Sequence, residues 1–209
     1  MLRFAALIFS ALMAVGMASA RTVSEYFGDT AADSVFISLP AVSRLDMVDY
    51  FTSAMTNPTK NELGSLSRIT SLNDTTLTID YTSGVTLELT LLPGPKPVLM
   101  LIETLPLPER DSRISFYDEN WQPLSKSPLK APSLNDWLTA DGQRHRDEVE
   151  ATLPFILSTA HYDAPAGQLV LTSTTDSYFS GEKPHELKYL RPGLVYLWNG
   201  KSFKIQKQR

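Results

Sequence analysis

Three histidines, His145, His161 and His185, are the imidazoles this chain offers for acid–base or metal chemistry. There is no cysteine, which excludes disulfides, cysteine-type zinc sites, iron–sulfur clusters and thiol nucleophiles. Catalysis by a hydroxyl needs a Ser or Thr, a base and an orienting acid that converge in space. Thr159 and His161 lie two apart in an expected strand and so share a face. No G-x-S-x-G motif, acid partner or oxyanion motif accompanies them, and His161 reads as a strand histidine at a sheet surface. His161 and Asp163 share that face as well, which makes half a metal site. No H-x-x-x-H or H-E-x-x-H spacing completes it. Glu103, Glu109, Asp111, Asp118 and Glu119 flank one strand exit, where a glycosidase would need two carboxylates across a cleft. Nothing forces a pair together, so solvated loop acids are expected. The glycines are dispersed in turns, without a phosphate loop or dinucleotide fingerprint. The expectation is no catalytic residue, no metal and no cofactor.

Aromatic residues offer a different chemistry. Phe116, Tyr117 and Trp121 surround one hairpin, and Tyr196, Trp198 and Phe203 surround another. Core packing is the default for most of them. Neighbours on a strand point to opposite faces, so part of this aromatic surface is expected to face solvent and to suit a protein, peptide or glycan partner. The candidate binding residues are Tyr117, Trp121, Tyr196 and Trp198. A formal net charge of -4 and the lack of a basic patch argue against nucleic acid. Lys201, Lys204, Lys207 and Arg209 read as a soluble chain end.

These side chains need elements to hold them. Arg21 to Asp33 is polar and reads as a loose lead-in. Ser43 suits an N-cap, Asp46 follows three residues later, and Leu45, Val48, Phe51 and Met55 give one apolar helix face. Leu77, Ile79 and Tyr81 alternate with Thr76, Thr78, Asp80 and Thr82. After Ser83-Gly84, Val85, Leu87, Leu89 and Leu91 alternate with Thr86, Glu88 and Thr90. This period of two marks an antiparallel hairpin. Arg68 to Leu72, Val98 to Leu105 and Ser112 to Tyr117 read as further strands, the second nearly all apolar and therefore central.

Pro123 to Pro132 is linker-like. Beyond it, Ser133 and Asp136 open a helix near Trp137, and another spans Asp147 to Leu153 before Pro154 stops it. Phe155 to Tyr162, Leu169 to Thr174, Leu187 to Leu190, Leu194 to Trp198 and Lys201 to Ile205 read as strands. The fold class is α+β, in two similar units (21–127 and 128–209), each with helices on one face of an antiparallel meander.

The first twenty residues read as a leader. Arg3 supplies the positive end, Phe4 to Val15 an apolar stretch too short to span a bilayer, and Ala18-Ser19-Ala20 a cleavage signature. The signal peptide is expected to be residues 1–20, the location periplasmic or extracellular, and the mature chain to lack a transmembrane segment.

Arg44-Leu45-Asp46-Met47-Val48-Asp49-Tyr50-Phe51, Ile102-Glu103-Thr104-Leu105, Asp111-Ser112, Ser115-Phe116-Tyr117 with Trp121 and Leu124, and Leu194-Val195-Tyr196-Leu197-Trp198-Asn199-Gly200 together resemble an uncharacterised secreted family of Bacteroidales-type bacteria, a domain of unknown function. The resemblance covers most of the chain and implies no activity, cofactor or catalytic residue. It also suggests a loose fold analogy to tandem β-lactamase-inhibitor-like or PepSY-like modules. The functional expectation is a non-catalytic envelope module that binds a protein, peptide or glycan on its sheet faces or in the groove between units. The alternative is an exported hydrolase working through carboxylates or His161.

Overall fold

The structure is a computed structural model and describes residues 21–106 and 108–206. The expected leader, residues 1–20, lies outside the described residues. The segment read as a loose lead-in is ordered, with helix α1, Val23–Gly28, followed by a 3-10 turn, Thr30–Ser34. The cause is a reciprocal cap: Thr22 N–H donates to Glu25 Oε2 at 2.6 Å, and Glu25 N–H donates to Thr22 Oγ1 at 3.4 Å. Helix α1 buries Val23, Tyr26 and Phe27.

Helix α2, Ala41–Thr52, starts ahead of the expected Ser43 cap, directly after Pro40. Asp33 takes over the capping role, its Oδ1 accepting the Ala41 N–H at 3.1 Å. The inward face also differs from the apolar stripe read in sequence. Ala41, Arg44 and Met47 are buried, Val48 and Phe51 are partly so, and Leu45 and Met55 are exposed. Arg44 explains the rotation. Its guanidinium donates to the carbonyls of Phe27 at 2.5 Å, of Asp29 at 2.7 Å and of Leu39, and pairs with Asp33 at 2.9 Å. Phe27 and Phe36 flank it, with ring centroids within 5.8 and 5.5 Å. A buried charge is tolerated when its donors are met in this way.

Strands β1 (Thr59–Lys60), β2 (Leu66–Leu72), β3 (Thr76–Thr82), β4 (Val85–Leu92), β5 (Val98–Leu105) and β6 (Asp111–Tyr117) form one antiparallel meander in sequence order. The β3–β4 hairpin pairs Leu77 with Leu89 and Ile79 with Leu87, and Gly84 takes the positive φ its turn requires. Leu77, Ile79, Leu87, Leu89, Leu99 and Leu101 pack under α1 and α2. The opposite face carries Met100, Ile102 and Phe116, which meet the second sheet. Strand β5 is thus covered on both sides, which accounts for its nearly continuous apolar run.

The second part begins with α3, Leu134–Trp137, capped reciprocally by Ser133 and Asp136 as the sequence suggests. A 3-10 turn, Gly142–His145, runs into α4, Arg146–Thr152. Strands β7 (Ser158–Asp163), β8 (Gln168–Ser173), β9 (Gly193–Trp198) and β10 (Phe203–Ile205) form an antiparallel sheet in the order β10-β9-β8-β7. Helix α5, Thr175–Tyr178, and a 3-10 turn, His185–Tyr189, sit between β8 and β9. The segment Leu187 to Leu190 is therefore not a strand, although Leu190 makes one bridge to Leu138; Tyr189 instead joins Leu138, Val149 and Leu153 in a small core. The fold is α+β, helices with two antiparallel sheets of six and four strands. Short helices precede each meander, and the likeness between the two parts goes little further.

The sheets are joined along the edge of β7. Its three N–H groups on the side away from β8 donate to side chains of the first sheet. Ser158 reaches Asp111 Oδ1, Ala160 reaches Ser112 Oγ and Tyr162 reaches Glu88 Oε1, each at 2.9 Å. An edge strand with its amides satisfied by side chains offers no template for further pairing on that side. No helix among the described residues is long and apolar enough to cross a membrane.

Candidate functional site

The four aromatics singled out in the sequence fall into two separate cores. Tyr117 ends β6 and is half-buried. Trp121 is 1% exposed, which corrects the expectation of a solvent-facing ring. It sits in the turn after β6 with φ of +60°, a conformation costing about 1 kcal/mol or more outside glycine. Asp118 Oδ1 holds that turn by accepting the N–H groups of Asn120 and Gln122, both at 2.9 Å. The indole N–H donates to Tyr26 O at 3.0 Å, and the ring packs on Phe36 and Tyr117. Trp121 is thus a pin between the hairpin and α1.

Tyr196 is likewise buried, at 4% exposure, against the expectation, and burial pushes its hydroxyl up to about 12. Trp198 is half-buried. Its indole N–H donates to Pro93 O at 2.6 Å, and its ring lies 4.9 Å from that of Phe203. Strand alternation tells which neighbour of each pair points inward only once the register is known, and the register puts Tyr196 against the first sheet.

Tyr117 and Trp121 do share a groove. It encloses about 430 Å³ beside the 3-10 turn that follows α1, with Phe36, Ile37, Tyr81, Glu103 and Arg113 among its walls. Ile37 is 77% exposed. Glu103 and Arg113 pair at 2.7 Å. Leu63, also strongly exposed, is tied to the same region through the Glu62 N–H to Ser38 O bond of 2.9 Å.

A second concavity lies at the step where β7 crosses the first sheet. The alternation of β3 and β4 that buries leucines on one side sends Thr78, Thr86 and Glu88 to the other. Sheet two covers that side only in part. The resulting crevice encloses about 390 Å³, with Thr159, His161 and Arg110 completing its walls. His161, its side chain 71% exposed, meets Glu88 at 2.7 Å through Nδ1. The sequence pattern missed this acid partner because the two residues are 73 positions apart.

The remaining chemistry is structural. Thr159 lines the same crevice as His161, and no hydrogen bond joins them among the described residues. Asp111 serves β7, Asp118 its own turn and Glu103 its arginine. His145 stacks on Tyr189 at 4.4 Å and meets Glu148 at 3.2 Å, and His185 contacts its neighbour Glu186. Among the described residues no group of three or more His, Asp or Glu is placed to hold a metal.

This is an α+β chain with a helix-covered six-stranded meander, a docked four-stranded sheet and open concavities on its surface. It belongs to the family described as a protein of unknown function (DUF3256), whose model matches residues 15–203. No curated protein matches it. Among solved structures it is similar to a domain of an uncharacterized protein from Porphyromonas gingivalis W83, with a TM-score of 0.74 and 21% identity over 90% of this chain and 100% of that one. At that identity the likeness concerns the fold.

Proposed function

We propose that this chain is an exported, non-catalytic binding module of a bacterial envelope, and that it receives a protein or peptide in the groove at Ile37 and Tyr117. The leader-like pattern of Arg3, Phe4 to Val15 and Ala18-Ser19-Ala20 supports export. The observation that carries the binding reading is the exposure of Ile37, at 77%, on the rim of an aromatic groove. Single exposed apolar residues are ordinary. Ile37 is instead backed by Tyr117, Tyr81 and Phe36 in one groove, which is the kind of patch partners cover. The Glu103–Arg113 pair on one wall presents both signs of charge, suited to orienting a peptide backbone.

The test is retention of a protein from envelope extract by immobilised chain. Wild type and Leu197→Asp, altered on the other sheet, are expected to retain the same species, and Ile37→Asp to lose it. Equal retention by Ile37→Asp, or none by wild type, overturns the reading.

One contact favours a second reading, the exported hydrolase. Glu88 orients the His161 ring as acids do in hydrolytic sites. A nucleophile bonded to that ring is what the arrangement lacks among the described residues. Turnover of ester, peptide or glycoside substrates that His161→Ala abolishes would replace the first reading with this one.

A further inference from the structure

We propose that the step between the sheets is a second site, and that it takes an uncharged saccharide of about two rings. The crevice is separate from the Ile37 groove and owes its polarity to strand alternation. Thr78 and Thr86 stand on its floor, Thr159 and His161 on its β7 wall, and Arg110 at the side.

The hydrogen-bond inventory selects the ligand. Thr78, Thr86 and Thr159 make no side-chain bond within the protein among the described residues, whereas Thr104 is engaged with Ser112 and Thr174 with Arg110 O. Three free hydroxyls can each donate and accept, matching a ligand whose own groups do both. The tautomer of His161 sharpens this. Glu88, as a carboxylate, can only accept, so the bond at Nδ1 requires the proton on Nδ1. In the neutral ring Nε2 is then a bare acceptor, which needs a donating O–H and repels an anion. Glu88 itself has both oxygens occupied, by His161 and by the Tyr162 N–H, and it opposes the charge of Arg110. The walls thus carry little net charge and an excess of hydroxyl-type partners. The volume of about 390 Å³ lies in the range of small-ligand sites, roughly 300–1,000 Å³.

The experiment is a solution titration of the full chain, read by amide shifts, with cellobiose, maltose and N,N′-diacetylchitobiose as probes, and with glucuronate and inorganic phosphate beside them. At least one uncharged disaccharide is expected to shift Thr86, Thr104 and His161 saturably at millimolar concentration. The double variant Thr86→Val/Thr159→Val is expected to weaken it about tenfold, two lost hydrogen bonds, while melting as wild type. Ile37→Asp is expected to leave it unchanged, which separates this site from the groove. The inference is overturned if no disaccharide gives saturable shifts, if the valine variant binds as wild type, or if phosphate or glucuronate binds at these residues more tightly than the sugars.

Discussion

Glu88 of β4 and His161 of β7 meet at 2.7 Å across the joint between the two sheets, and the other oxygen of Glu88 holds the Tyr162 N–H. The carboxylate is the buried member and the imidazole the exposed one. Removing Glu88 therefore strips an edge strand of its acceptor, while removing His161 strips an accessible pair. Glu88→Ala is expected to cost about 1–3 kcal/mol, and His161→Ala under about 1 kcal/mol. Thermal melts check this, at roughly 2–4 °C per kcal/mol for a chain of this size. Equal effects would mean that Glu88 does not hold the joint.

Arg44 predicts a larger loss. Arg44→Met leaves the Phe27 and Leu39 carbonyls without their side-chain donor and takes one donor each from Asp29 O and the Asp33 carboxylate, and is expected to cost about 2–5 kcal/mol. Arg44→Lys should recover little, since an ammonium cannot span acceptors spread over the same fork. Denaturant midpoints distinguish these outcomes. A methionine variant as stable as wild type would contradict the role assigned to the guanidinium.

Tyr162 predicts a gain. Its hydroxyl is buried without a hydrogen-bond partner among the described residues, and burial pushes its ionisation upward. Tyr162→Phe removes an unmet polar atom and keeps the ring, so stability is expected to rise by about 1 kcal/mol. A lower melting temperature would show that the hydroxyl has a partner in solution.

Tyr196 and Asp29 each contribute to the pH dependence of stability. Burial raises the Tyr196 hydroxyl to about 12 in the folded state, against about 10 unfolded. Its contribution is complete below pH 10 and is lost as pH rises towards 12, on the order of 2 kcal/mol in all. Tyr196→Phe should flatten stability over that window. At the acid end, the Ala31 N–H and then Arg21 hold Asp29 below its ordinary value. That contribution is present above the unfolded carboxylate value near 4 and is lost as pH falls through the lower folded one. Asp29→Asn should reduce the acid-side slope of the melting temperature.

Much of this architecture was readable because alternation is strong where one sheet face is buried. The β3–β4 hairpin and β5 show it, as does the Ser133 cap of α3. The errors have physical causes. The Thr22-x-x-Glu25 cap was present in a stretch too polar to draw attention. The α2 face turned because Arg44 finds four acceptors that periodicity cannot show. Tyr196 went inward because register, not local pattern, decides which strand neighbour is covered, and Trp121 because the turn after β6 swings its ring onto α1. The Glu88–His161 pair and both concavities arise from the docking of two distant segments, and no short-range pattern encodes that.

The binding reading is tested most directly by covalent capture at Ile37. A photoreactive benzophenone side chain placed at position 37, and separately at position 204 of β10, is irradiated in the native envelope. A discrete protein or peptide adduct at 37 and none at 204 is the predicted result. No adduct at 37, or the same ladder from both positions, would contradict the account.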